Sequence, residues 1–263
     1  MSSKKQIEFT KDNIDTYLKE VAKEYRKQIG KNMPAEMILI GGASVLINYG
    51  FRNMTTDIDA VIQAASAMKD VIGRVGDRHH LSTGWLNQDF IQTETYSPSL
   101  SRFSRYYKTY SNVLTIRTVT AEYLIAMKLR SGRQYKSDLS DVLGILAEHE
   151  TSRKPITLER IHKAVSDLYG GWSTLPEASQ NFISNVMRDG HFSELYAQTI
   201  IGEKETKELL IGFEQDYPGV TKEANVNEIA ENLQKKTSRA SILAQLRERT
   251  PEPKQQEPAQ NNK

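Results

Sequence analysis

Asp57 and Asp59 flank Ile58 in the run Thr-Thr-Asp-Ile-Asp-Ala-Val-Ile. An apolar run of this kind, Asp57–Ile62, reads as a strand, and strand side chains alternate between faces. Both carboxylates therefore fall on one face. Two adjacent carboxylates repel and are costly to hold ionised unless a cation lies between them. The spacing points to a divalent metal. The competing account of the pair is a solvated strand end or an ion pair with Arg52. Gly41-Gly42 stands between the short apolar run Met37–Ile40 and a second apolar run, Ala43–Tyr49. Glycines at a strand-to-helix turn let backbone N–H groups approach a phosphate, and the helix start favours negative charge. Ser44 adds a hydroxyl donor. Phosphate donors close to a paired carboxylate suggest a nucleoside triphosphate with Mg²⁺, which bridges carboxylate and phosphate oxygens. A ligand-free strand-to-helix turn would also explain the glycines.

Other elements must hold these residues. Asn13–Gly30 places Ile14, Tyr17, Leu18, Val21 and Tyr25 at helical spacing, with Asp12 or Asn13 to cap its start and Gly30 to end it. Ala64–Val75 is a second amphipathic helix. His79–Asn87 reads as a loop packed by Trp85. Val113–Val119 is β-branched and alternating, hence a strand. Thr120 caps a helix over Ala121–Arg130, and Ser137 or Asp138 caps one over Leu139–Glu148. After Lys154-Pro155 only helical periodicity remains, over Thr157–Leu168, Glu177–Arg188, Glu203–Phe213 and Val226–Lys236. The expected organisation is a mixed α/β domain over 1–150, a helical domain over 151–249 and a disordered, proline-containing tail over 250–263.

Gly41-Gly42-Ala43-Ser44, a spacer, then Arg52-x-x-Thr55-Thr56-Asp57-Ile58-Asp59 resembles the signature of polymerase-β-type nucleotidyltransferases. It is most similar to the AbiEii/AbiGii-like group, which includes toxins of abortive-infection and MenT-type toxin–antitoxin systems. A later block, Glu122 through Lys128 to Arg133 and then Lys136-Ser-Asp138-Leu-Ser-Asp141, resembles the group's second motif. The resemblance covers about residues 36–149. It implies an α+β fold: a nucleotidyltransferase-fold mixed sheet with flanking helices, followed here by an all-helical C-terminal region. It implies that Gly41, Gly42, Ser44, Arg52, Thr56 and Lys128 bind nucleotide and that Asp57 and Asp59 ligate Mg²⁺. It further implies catalytic roles for Asp57, Asp59, Lys128 and Asp138 or Asp141, in attack of an acceptor hydroxyl on the α-phosphate. The third carboxylate of the classical fold, expected on a later strand, is missing from Leu114–Thr118, and neither Asp89 nor Glu94 has spacing that supports it in that role; in the related toxins the resemblance implies a divergent site in which the later Asp takes over. An antitoxin protein is an implied partner.

Composition limits the rest. Hydrophobic residues make up 38% and mean hydropathy is −0.56, so a core is available while no run is long enough to cross a bilayer. The first residues lack the apolar stretch of a signal peptide and cysteine is absent, both of which fit a cytoplasmic protein. Net charge is only +2, yet Ser101–Ser137 carries eight cations against the single acid Glu122, a net +7. Phe103, Tyr106, Tyr107 and Tyr110 interleave with those cations. Cations with stacking rings suit an RNA acceptor such as the tRNA 3′ end, or equally a solvated loop with core tyrosines. The expected function is Mg²⁺-dependent nucleotidyl transfer from a nucleoside triphosphate. The alternatives are an inactive nucleotide-binding module and a small-molecule nucleotidyltransferase. His79-His80, adjacent in a loop, is a poor metal site.

Overall fold

A computed structural model describes residues 7–133, 136–222 and 225–236. Its sheet has five strands: β1 (Ala35–Leu39), β2 (Ile58–Gln63), β3 (Leu86–Asn87), β4 (Ser104–Tyr110) and β5 (Leu114–Val119), in the order β3-β2-β1-β5-β4. β1 runs antiparallel to β2 and parallel to β5, and β2 is parallel to β3, so the sheet is mixed. With helices on both sides, this is the α+β fold expected. β4 and β5 form a hairpin whose turn residues, Ser111 and Asn112, both have positive φ, as the right-handed strand twist demands of a tight hairpin turn.

Pleating divides the core in two. Met37, Leu39, Ile58, Ala60, Leu114 and Ile116 pack with Leu18, Val21 and Tyr25 of α1 (Lys11–Ile29) and Val71 and Val75 of α3 (Met68–Arg78). Ile38, Ile40 and Val119 join a second cluster with Leu124, Ile125 and Leu129 of α4 (Ala121–Ser131) and Val142, Leu143 and Leu146 of α5 (Asp138–Thr151). Full burial of each such aliphatic side chain contributes roughly 1.5–3 kcal/mol. α1 starts two residues earlier than expected, with Thr10 as its N-cap and Asn13 Oδ1 accepting from the Thr10 N–H at 2.9 Å. Gly30 ends it at φ 86°. Trp85 is buried, with its indole N–H donating to Ile72 O at 3.2 Å.

β4 was not expected. As the outer strand of the sheet it buries only its end residues, Ser104 and Tyr110, so its polar middle shows no alternation. The chain divides into two compact units, Met1–Ile201 and Gly202–Lys263. The boundary expected near residue 150 falls inside the first unit. There Ile161, Ala164, Val165 and Leu168 of α6 (Leu158–Tyr169) and Ile183 and Val186 of α7 (Glu177–Asp189) belong to the same apolar cluster as α4 and α5. α8 (Phe192–Asp216) starts well before the expected Glu203. In the second unit residues 226–236 are helical as expected, and Gln234 donates to Thr206 Oγ1. The expected tail over 250–263 lies outside the described residues.

Candidate active site

Asp59 lies in β2 and Asp57 one residue before that strand begins. Ile58 between them is fully buried, which points its neighbours the other way. Asp57 is exposed and Asp59 half-buried. Burial, and then the Asp57 charge, push the Asp59 carboxyl above its ordinary 3.8 against the opposing pull of Asn87, Lys136 and Arg133. The glycine turn is beside it. α2 (Gly41–Asn48) starts at Gly41 with φ +53°, and a Cβ there would stand 3.4 Å from Asp59 Oδ2. The first turn of a helix leaves N–H groups without intrahelical partners. Glycine turn and carboxylate thus border one space.

Asn87, at the end of the stretch expected to be a loop, pairs with Asp59 in register across β2 and β3, and its amide Nδ2 donates to Gly84 O at 3.0 Å. The strand beside β2 is therefore β3, whereas Leu114–Thr118 belongs to β5 on the far side of β1. An amide stands where that neighbouring strand meets the acidic pair. Among the described residues no group of three or more His, Cys, Asp or Glu side chains is placed to hold a metal. Asp89 begins a short 3-10 turn just beyond Asn87 and donates its backbone N–H to Asn87 Oδ1 at 3.0 Å.

The loop from Gly50 to Asp57 is tied down along its length. Glu148 Oε1 accepts from the Gly50 N–H and, at 3.1 Å, from the Phe51 N–H. Arg52 Nη1 donates to both oxygens of Asp141, at 2.7 and 2.6 Å, and its Nε donates to Met54 O at 3.1 Å. Arg52 thus pairs with Asp141, not with Asp57 or Asp59. Thr55 exchanges backbone hydrogen bonds of 2.8 and 2.9 Å with Phe9. Thr56 is exposed next to Asp57. A Cβ on Gly42 would stand 2.6 Å from Thr55 Oγ1 and 2.9 Å from Arg52 Nη2. Gly42 is required by this packing, whatever ligand approaches the turn.

Lys128, Asp138 and Asp141 come together in the interior. Lys128 Nζ lies 2.7 Å from Asp138 Oδ1 and 2.8 Å from Asp141 Oδ2, and Arg133 Nε lies 2.9 Å from Asp138 Oδ2. Asp138 is 0% and Asp141 2% exposed. Both carboxylates sit in the first turn of α5, three residues apart on one face, where the helix dipole favours negative charge. Burial works against the Lys128 charge, but Asp138 and Asp141 outweigh it and hold the ammonium above 10.5. Burial likewise opposes the Asp138 charge, but Lys128 and Arg133 hold that carboxyl far below 3.8. The lysine expected at a triphosphate is clasped by two carboxylates, and the two aspartates expected near an acceptor are enclosed. Ser44 is also fully buried; its Oγ accepts from Asn48 Nδ2 at 3.4 Å instead of facing the turn.

Six of the eight cations of the +7 segment have hydrogen-bond partners within the protein. Arg105 donates to Asn48, Lys108 to Asp15, Arg117 to Ser104 and Arg130 to Glu94, while Lys128 and Arg133 belong to the buried cluster. Phe103 stacks on Tyr123 at 3.9 Å and Tyr110 is buried, whereas Tyr106 on β4 is 61% exposed. His79 Nε2 sits 2.6 Å from Glu20 of α1, a surface pair.

Residues 16–168 match the family described as nucleotidyltransferases of unknown function (DUF6036). The chain belongs to that family. For this nucleotidyltransferase-family chain the match begins within α1, takes in all five strands and ends within α6. It spans the acidic pair, the glycine turn and the buried cluster, and leaves α7 and α8 outside. No curated protein and no solved structure matches the chain. No helix among the described residues is long and apolar enough to cross a membrane.

Proposed function

We propose that the chain transfers a nucleoside monophosphate from a nucleoside triphosphate to an acceptor hydroxyl, with Mg²⁺ held by Asp57 and Asp59. The observation that carries this reading is the 3.4 Å approach of a Gly41 Cβ position to Asp59 Oδ2. It sets the glycine turn, with its helix-start amides, directly beside the carboxylate, and the φ of +53° at Gly41 is one that residues with a side chain rarely adopt. The residues fit the ion. A carboxylate pair whose half-buried member resists ionisation gains from a cation, and Mg²⁺ is commonly held by one or two protein carboxylates plus phosphate and water oxygens. Bound there, Mg²⁺ would neutralise phosphate charge and orient the triphosphate for in-line attack. The Gly41 and Gly42 amides would receive phosphate oxygens, with Arg52 and Thr56 flanking them. The acceptor oxygen adds to the α-phosphorus as that phosphorus loses its bond to pyrophosphate, and the hydroxyl proton passes to solvent water. Lys128, Asp138 and Asp141 support this site from behind, through Arg52.

The acceptor we infer is RNA, such as tRNA, and the setting a toxin with a protein antitoxin. Supporting this are the resemblance to AbiEii- and MenT-type proteins and the exposed Tyr106 between Arg105 and Lys108. Asn87, an amide beside the acidic pair, favours a second reading, a nucleotide-binding module without transfer. Incubation with each α-³²P nucleoside triphosphate, Mg²⁺ and total tRNA tests these readings. Label in RNA that disappears without Mg²⁺ supports the first. Nucleotide binding with no label on RNA or on small hydroxyl compounds supports the second.

A further inference from the structure

Helix α5 meets the α2–β2 loop along one face. Asp141, Gly144 and Glu148 are spaced three and four residues apart, so they line up on that face. They engage the loop in reverse order. Asp141 takes the Arg52 guanidinium. Gly144 lies under the Phe51 ring, whose atoms would be 2.6 Å from a Cβ there. Glu148 takes the amides of Gly50 and Phe51. Gly50 in turn lacks room, since its Cβ would stand 3.1 Å from Glu148 Oε1. Glu148 is half-buried and borders an open cavity of about 350 Å³, lined also by Phe51, Ala147 and Tyr196. Nothing in that cavity is part of the acidic site.

We propose that Glu148 is a positioning residue that fixes the start of the loop carrying Asp57 and so sets the aim of Asp57 and Asp59 toward a shared cation. This rests on the reading of that pair as cation ligands. A carboxylate accepting two backbone N–H groups makes charge-assisted hydrogen bonds, the strong kind. Groups that orient metal ligands from behind typically change metal affinity 10–100-fold when removed. An acceptor oxygen is the first requirement at this position, and the negative charge strengthens both bonds.

Mn²⁺ binding to the full chain, followed by electron paramagnetic resonance, tests this together with amide exchange at Gly50 and Phe51. Glu148→Ala is expected to weaken Mn²⁺ about tenfold and speed exchange at both amides. Glu148→Gln, which keeps the acceptor oxygen but not the charge, is expected to restore much of both; a merely charge-balancing glutamate would not be rescued this way. Gly50→Ala, which crowds Glu148 Oε1, provides a second variant if Glu148→Ala fails to fold, and it should weaken Mn²⁺ in the same direction. Parent-like affinity and exchange in Glu148→Ala and in Gly50→Ala would overturn the inference while leaving the acidic pair intact. A parent chain that binds no Mn²⁺, or binds it equally after Asp57→Ala/Asp59→Ala, would overturn the metal reading and this inference with it.

Discussion

Arg52 and Asp141 lie 89 positions apart in the chain, and Arg52 Nη1 contacts both oxygens of the Asp141 carboxylate, at 2.7 and 2.6 Å. Asp141 is 2% exposed and also holds Lys128 at 2.8 Å. This one carboxylate joins the loop before the acidic pair to the buried charge cluster. Removing it takes away the carboxylate of the partly buried Arg52 and leaves the buried Lys128 with Asp138 alone. Asp141→Ala should cost roughly 3–5 kcal/mol, the cost of breaking a buried ion pair, read as a lowered urea midpoint. Arg52→Lys should lose much of the contact as well, because an ammonium cannot reproduce the guanidinium's spread of donors toward Asp141 and Met54.

The buried cluster sets a pH window for stability. The Asp138 carboxyl is lowered by folding, so its contribution is present above 3.8 and lost as pH falls through the lower folded value. The Lys128 ammonium is raised by folding, so its contribution is fully present below 10.5 and lost as pH rises through the higher folded value. The contribution of this cluster to the unfolding free energy should plateau between these limits. In Asp138→Asn the acid-side dependence should be shallower and the plateau lower, measured by urea unfolding across pH.

Asp59 works in the opposite direction. Its carboxyl is raised above 3.8, so folding stability falls as pH rises from 3.8 through the folded value. A cation on the pair relieves that cost. Mg²⁺ should therefore raise the melting temperature more above this window than below it, and Asp59→Asn should remove the difference.

Gly42→Ala places a methyl into the space of Thr55 Oγ1 and Arg52 Nη2. Overpacking of this kind typically costs about 1–3 kcal/mol. A lowered melting temperature with weaker nucleotide binding is expected. Gly73→Ala has nothing within 4 Å of its Cβ position and lies within α3, so it should be neutral or slightly stabilising by comparison.

The stretch from β1 through α2 to β2 was readable because its signals are local: strand, glycine turn, helix and paired aspartates are contiguous in sequence. The same holds for α1, β5, α4 and α5, whose apolar periodicity matches the faces they bury. β3 was invisible because two residues, Leu86 and Asn87, carry no period, and with it went Asn87's place opposite Asp59. β4 escaped because an outer strand need not alternate. The partners of Lys128 could not be read from its type. Whether a lysine meets a phosphate or two aspartates depends on how α4 and α5 fold back on each other, and Asp138 and Asp141 were assigned to the site rather than to the lysine. The continuity of α6 with the α4–α5 cluster was hidden because a loss of strand periodicity resembles a domain boundary.

Transfer of α-phosphate label from nucleoside triphosphate to acceptor, comparing the parent chain with Asp57→Ala/Asp59→Ala at equal folded concentration, tests the central claim most directly. The acidic pair at the glycine turn predicts Mg²⁺-dependent labelling by the parent and a loss of at least about 100-fold in the variant, a few kcal/mol of transition-state stabilisation. Equal labelling by the two proteins would contradict it.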